Sequence, residues 1–249
     1  MNYEVSLVFY ILTAISVLIF LLGMWGLIHM WKLGKNKGPA ISPGKWVASL
    51  IKTILIQPQL KDNDRLAWVM HLMIFYGFML LLFLTGWEAF LADIVPSTAS
   101  LHQYFKVGEG NLILSVWGEI GGLLLLLGIL LAIYRRYVLK PEKHNTISDD
   151  SIAIWLLFLL VITGFICQVV RLAVDPAAID LSTSFTVAWL VPAVKNLNLT
   201  MGNLRVLFYI HSLLGFIFVA YIPFSKFKHI FATPMVYSNT TASETYSKP

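Results

Sequence analysis

Residues 204–231 read LRVLFYIHSLLGFIFVAYIPFSKFKHIF. The run is apolar almost throughout and holds two histidines, His211 and His229. Their spacing of eighteen residues is five whole turns at about 3.6 residues per turn, so a continuous helix puts both imidazoles on one face. The axial separation, about 27 Å, is close to the ~30 Å hydrocarbon thickness of a bilayer. A membrane helix with one histidine near each surface is a pattern for two metal centres stacked across the membrane, and imidazole is a common axial ligand of haem iron. A plainer reading stands beside this one at His229, which follows Lys226-Phe227-Lys228 and reads equally as a wet interfacial residue. Pro223 lies between the two histidines and should kink the helix.

The rest of the chain has the same solvent preference. Only 12% of its 249 residues are charged and 58% are hydrophobic, against about 25% charged in soluble domains. This is the composition of an integral membrane protein, with membrane lipid as its first partner. The net charge of +5 is no nucleic-acid signal, because the basic residues sit at the edges of the apolar runs. The single cysteine, Cys167, lies inside such a run. A disulfide framework, a C-x-x-C pair and a cysteine ligand set are therefore excluded, and any iron–sulfur chemistry belongs to a partner.

Apolar runs at about 5–31, 66–87, 112–134, 152–170 and 206–229 predict an all-α bundle of five transmembrane helices. Residues 1–231 form the membrane domain, and 232–249 read as a polar, disordered tail. The first run follows Glu4, has no basic n-region and is too long for a signal-peptide core, so it is expected to stay in the membrane. Fourteen of the 18 Lys and Arg residues fall in 32–65, 135–143 and the tail. The positive-inside rule then puts the N-terminus outside and the C-terminus in the cytoplasm, as a multi-pass protein of the inner, cytoplasmic membrane. Residues 46–56 read as a short surface helix. Residues 183–194, on the outer side, are apolar enough to lie on or dip into the membrane.

Within this frame the ionisable residues are the candidates, since such groups are costly in lipid. His71, in LAWVMHLMIFYGF, lies about one and a half turns inside the second run. Gly77 follows within two turns, where the missing Cβ would let a flat macrocycle approach the backbone. The span order puts His71 and His229 near the inner face, where they can clamp one haem iron, and His211 near the outer face. His29, beside Trp31 and Lys32, is either interfacial or a substitute ligand or hydrogen-bond partner for an inner cofactor. Glu119 sits two turns in from the outer face among Gly118, Gly121 and Gly122. It is either a proton acceptor or hydrogen-bond partner at an outer redox site, or a structural interhelical bond. Arg171 either snorkels outward or pairs with a propionate of an outer haem. His144 reads as a solvated loop residue.

The fifth run, with Ile210-His211, the interval to His229, the sequence PFSKFKH and the following Pro234, is similar to the last helix of the membrane cytochrome b subunit of respiratory nitrate reductase. The five-span layout and a histidine early in the second run agree. The segment RLAWVMHLMIFYGF more closely resembles the branch of that superfamily found in heterodisulfide-reductase-like membrane complexes of sulfate reducers and methanogens. The resemblance implies haem b, oxidation or reduction of a membrane quinone (menaquinone or methanophenazine), and electron exchange with a cytoplasmic iron–sulfur subunit of heterodisulfide-reductase type. It carries over His71, His211 and His229 as ligands. It also exposes a departure: the nitrate-reductase pattern has a second histidine ten residues after the first in span two, and here that position is Leu81. On this pattern an outer haem is held by His211 alone, or takes His102 from the outer loop, or is absent. A quinol would bind near the outer haem, with Glu119 or Lys106 as proton or hydrogen-bond partners. The basic inner loops would dock the soluble subunit, and an outer cytochrome c or other membrane subunits are further candidate partners. The rival reading is a haem-free anchor or a proton-relay transporter subunit. Spans one and four read as too apolar for the continuous polar lining it requires.

Overall fold

A computed structural model describes residues 7–33, 43–57, 60–61, 64–139, 148–176, 178 and 180–244. Among them every regular element is helical, and five helices are long and apolar enough to cross a membrane. These are α1 (Leu7–Leu33), α3 (Arg65–Asp93), α4 (Glu109–Tyr134), α5 (Ser148–Val174) and α6 (Met201–Tyr221). Two more helices flank the spans: α2 (Pro43–Leu55) and α7 (His229–Glu244). The all-α, five-span reading of the sequence therefore holds for this multi-pass membrane protein. Glu4, Lys35, Lys37, Lys140, Lys143 and His144 lie outside the described residues.

The chain divides into two compact units. One comprises residues 70–144 and 154–214, and its packing is organised by the glycines of α4. A Cβ on Gly121 would lie 3.2–3.3 Å from Leu80 and Leu81 of α3, and one on Gly128 would lie 2.8 Å from Ile74 of the same helix. On the next face a Cβ on Gly122 would lie 2.8 Å from the Phe165 ring of α5. Small residues of this kind let helix backbones close up where lipid supplies no hydrophobic drive to associate. Gly77 answers from α3: its Cβ would sit 2.5 Å from the Leu125 backbone nitrogen and 2.8 Å from the Gly121 carbonyl. The expected niche for a flat macrocycle at Gly77 is thus filled by the backbone of α4.

The other unit comprises 2–69, 145–153 and 215–249. Here α1 meets the end of α6. The Ser16 hydroxyl, itself buried, donates to the Phe216 carbonyl at 2.7 Å, and a Cβ on Gly23 would lie 2.5 Å from Pro223. Edge-on aromatic contact between Phe9 and Phe216 closes the seam. The surface helix expected at 46–56 is present as α2 and packs against α7. The Trp68 indole donates to the Ile56 carbonyl at 2.7 Å, and the Lys61 ammonium sits 5.3 Å from the centre of the same ring.

Two expectations are corrected. The fifth span does not continue as one helix to His229. Proline has no N–H to give an i−4 carbonyl, and around Pro223 the chain tightens into a 3-10 turn (Ile222–Phe224). Ser225 is then extended (φ −109°, ψ −177°), and its hydroxyl accepts from the Phe227 N–H. A second tight turn, Lys226–Lys228, follows, and His229 opens a new helix. The five-turn register between His211 and His229 is therefore broken. The tail is also not a disordered strand of polar residues: it is helical through Glu244, despite Pro234 and many Ser and Thr residues, because α2 gives it a surface to pack on.

Candidate functional site

His211 lies in the third turn of α6, half-buried, with its ring on α5. A Cβ on Gly164 would lie 3.4 Å from its Cε1, so the imidazole rests over a residue with no side chain to displace it. The neighbouring Thr163 hydroxyl is 2.9 Å from His211 Nδ1. That hydroxyl has one proton, and it points to the Leu159 carbonyl at 2.7 Å and the Leu160 carbonyl at 3.1 Å. Its lone pair therefore accepts from Nδ1–H, and Nε2 keeps the free electron pair that a metal requires.

The same chemistry recurs at two other histidines. His102 places Nδ1 2.9 Å from the Leu91 carbonyl, and exposed His229 places Nδ1 on the Lys226 carbonyl. A carbonyl only accepts, so Nδ1 holds the proton in both rings and Nε2 is left basic. Metal-bound imidazoles are commonly oriented by such a bond from the second nitrogen. His71 is half-buried in the second turn of α3, and His29 is exposed near the end of α1.

A second cluster lies on the same unit, between the N-terminal part of α4 and the C-terminal part of α5. Glu119 is 1% exposed. One of its oxygens accepts from the Gln168 amide of α5, and the other accepts from the Thr186 backbone N–H at 2.8 Å. Gln168 also donates to the Ser184 hydroxyl at 3.2 Å, which in turn donates to the Asp180 carbonyl at 2.8 Å. Arg171 forks onto the Asp180 carboxylate, with Nη1 3.0 Å from Oδ1 and Nη2 on Oδ2. Ser115 of α4 joins through Thr183 at 2.9 Å. Glu119 and Arg171 thus share one hydrogen-bonded network, whose effect is to tie residues 180–186 to two spans. Arg171 has Asp180 as its partner here, where the sequence left open a propionate.

Lys106 stands outside that network and pairs with Glu88. Close to Glu88 in sequence, the Trp87 indole N–H is buried without a hydrogen-bond partner, as is the Thr186 hydroxyl. Sequence reasoning missed Thr163, Gln168, Asp180 and Ser184, having read span four as nearly bare of polar groups. The signals were small: a Thr-Gly pair and one Gln interrupting an apolar run.

Among the described residues no three His, Cys, Asp or Glu side chains group to hold a bare metal ion. A porphyrin brings its own equatorial ligands, so one or two imidazoles with free Nε2 atoms complete its iron. The donor set present fits that group.

The HdrE family, the membrane component of dihydromethanophenazine:CoB–CoM heterodisulfide reductase, matches residues 47–237. The chain is 28% identical over 258 residues to the HdrE protein of that reductase from Methanosarcina mazei, covering 90% of this chain and 89% of that protein. It is 28% identical over 246 residues to an EtfAB:quinone oxidoreductase from Syntrophomonas wolfei, covering 92% of this chain but 33% of the relative, so it spans about a third of that protein's length. It is 28% identical over 162 residues to an Hdr-like menaquinol oxidoreductase cytochrome b-like subunit from Archaeoglobus fulgidus, covering 65% of this chain and 47% of that subunit. No solved structure matches the chain.

Proposed function

From the premise that this chain belongs to the HdrE family of heterodisulfide reductase, a family of membrane subunits in redox complexes, we propose that it binds haem b and moves electrons between a membrane quinone pool and a cytoplasmic iron–sulfur subunit of heterodisulfide-reductase type. The observation that carries the reading is the imidazole of His211, whose Nδ1 is engaged by Thr163 at 2.9 Å while Nε2 is left as a ligand atom.

Haem b, when bound, supplies one-electron transfer. His71 and His229 would hold the inner haem; that pairing rests on the order of the spans in the sequence and on the family resemblance. His211 would hold an outer haem, with His102 as the candidate for the place that Leu81 leaves without a ligand. At the outer side Lys106, already balanced by Glu88, is a hydrogen-bond donor for a quinone oxygen, and the unpartnered Trp87 N–H supports a polar ligand nearby. Glu119, with an N–H donor on each oxygen, anchors protein in this reading. The relatives named for quinone, menaquinol and dihydromethanophenazine support a quinone-like substrate, and menaquinone is the one we favour. The positive-inside count supports an N-terminus outside and basic inner loops facing the soluble partner.

The test is a haem assay per mole of purified protein after haem-replete expression, with optical spectra of His71→Ala, His211→Ala and His229→Ala. The reading expects a reducible b-type spectrum that each substitution abolishes or alters. Protein with no such absorbance, or three variants with unchanged spectra, would overturn it.

A further inference from the structure

The contacts of residues 180–191 fix how deep that segment lies. Ser115 and Glu119 are six and ten residues inside the first residue of α4, or about 9 and 15 Å along its axis. Gln168 is six residues before the last residue of α5, again about 9 Å from the helix end. Thr183 bonds to Ser115, Ser184 to Gln168, and the Thr186 N–H to Glu119. The segment therefore descends between two membrane-spanning helices, beside their apolar runs, and does not lie across their ends.

Its two sides differ. Asp180, Ser184, Val187 and Val191 are buried, each at 4% exposure or less, whereas Leu181, Phe185 and Trp189 are 44, 53 and 72% exposed. The exposed three recur every fourth residue along one edge. Irregular backbone is tolerated at membrane depth only where protein satisfies its polar groups. The Glu119, Gln168 and Asp180 bonds do so here, and the Trp189 indole N–H closes on the Thr186 carbonyl at 2.8 Å. At that depth the medium beside an apolar edge is hydrocarbon. Farther along α5, Thr163, which holds His211, is five residues beyond Gln168, about 7.5 Å deeper.

We propose that residues 180–191 form a re-entrant roof seated in the leaflet at the N-terminal end of α4, with the Leu181, Phe185 and Trp189 edge against lipid acyl chains, closing the level of His211 off from water on that side. An apolar reactant then reaches that level from the bilayer. This goes beyond the haem reading and does not need His211 to bind iron.

The experiment places single nitroxide labels at Leu181→Cys, Phe185→Cys and Trp189→Cys in the full chain, with Cys167→Ala, in vesicles of phosphatidylcholine and phosphatidylglycerol. References are Ser97→Cys in the loop after α3 and Leu127→Cys on α4. Oxygen-to-nickel-chelate collision ratios at the three edge positions should match Leu127→Cys and exceed Ser97→Cys several-fold. Ratios like that of Ser97→Cys overturn the proposal, and so does shielding from both reagents, which would mean a protein neighbour. Hydroxyl-radical footprinting of the unsubstituted protein in the same vesicles avoids labels altogether: Trp189 and His211 should be as protected as the span residue Trp117, and rapid oxidation of either overturns the roof.

Discussion

A single hydroxyl decides which nitrogen of His211 carries the proton. Replacing Thr163 with Val keeps the shape but removes the acceptor at 2.9 Å, so Nδ1–H loses its partner and the ring loses its fixed tautomer. Loss of such an orienting bond typically costs about 10–100-fold in metal affinity. Thr163→Val should therefore lower haem retention at the His211 site by about that factor and shift its spectrum, while Thr163→Ser restores both. Haem-to-protein ratio and the reduced-minus-oxidised spectrum check this, and a Val variant identical to the parent would show that the bond orients nothing. Glu119 makes a different case. Glu119→Leu strands the Gln168 amide and the Thr186 N–H, each costing about 1–3 kcal/mol when buried unpaired. A clear fall in the unfolding midpoint in detergent should follow, smaller for Glu119→Gln, which keeps one acceptor. Glu119 and the histidines could be picked out of the sequence because ionisable groups are rare inside apolar runs. Their partners could not, since Gln168 and Thr186 lie 49 and 67 residues from Glu119, and nothing local in the chain encodes that meeting.

Helices were legible where length and hydrophobicity alone decide, and less so where neighbours decide. All five spans follow from apolar runs long enough to cross ~30 Å of hydrocarbon. Gly77 shows the limit. A glycine in an apolar run offers room for any close approach, and only the fold reveals that α4 takes it. This makes a sharp contrast testable. Gly77→Ala drives a Cβ to 2.5 Å from the Leu125 nitrogen, whereas Gly86→Ala, on the same helix, meets nothing within 4 Å. Overpacking against backbone should cost about 1–3 kcal/mol, so Gly77→Ala should unfold well before the parent protein and Gly86→Ala should not. Equal midpoints would mean that α3 and α4 slide apart freely. The break after Tyr221 was half legible: Pro223 announced a kink, but the extended Ser225, 2% exposed and capping the next turn, turned that kink into the end of a helix. The helical tail was not legible, because its composition favours disorder and its helicity depends on packing against α2.

At the scale of the whole molecule, direction matters more than contacts. An electron path between a quinone and a soluble partner is vectorial only if every chain inserts the same way, and no helix–helix contact sets that. Charge does. Lys and Arg cost about 2.5–3.5 kcal/mol each at the centre of a membrane helix and resist translocation when clustered near a span. The first inner connection, residues 32–65, holds seven of the 18 basic residues, against Lys106 alone in the loop after α3. That imbalance should hold the connection in the cytoplasm and, with five crossings, leave the N-terminus outside and the C-terminal helix inside. A fluorescent protein that matures only in the cytoplasm should therefore glow when fused after Pro249, and a phosphatase active only outside should work when fused ahead of Met1. Changing Lys45, Lys52 and Lys61 together to Gln should produce a fraction of chains with the opposite reporter pattern, because the bias is a sum of similar small terms with no single determinant. A fully inverted parent protein would place His71 and His229 on the outer side, and the basic connection could then no longer face a cytoplasmic iron–sulfur partner.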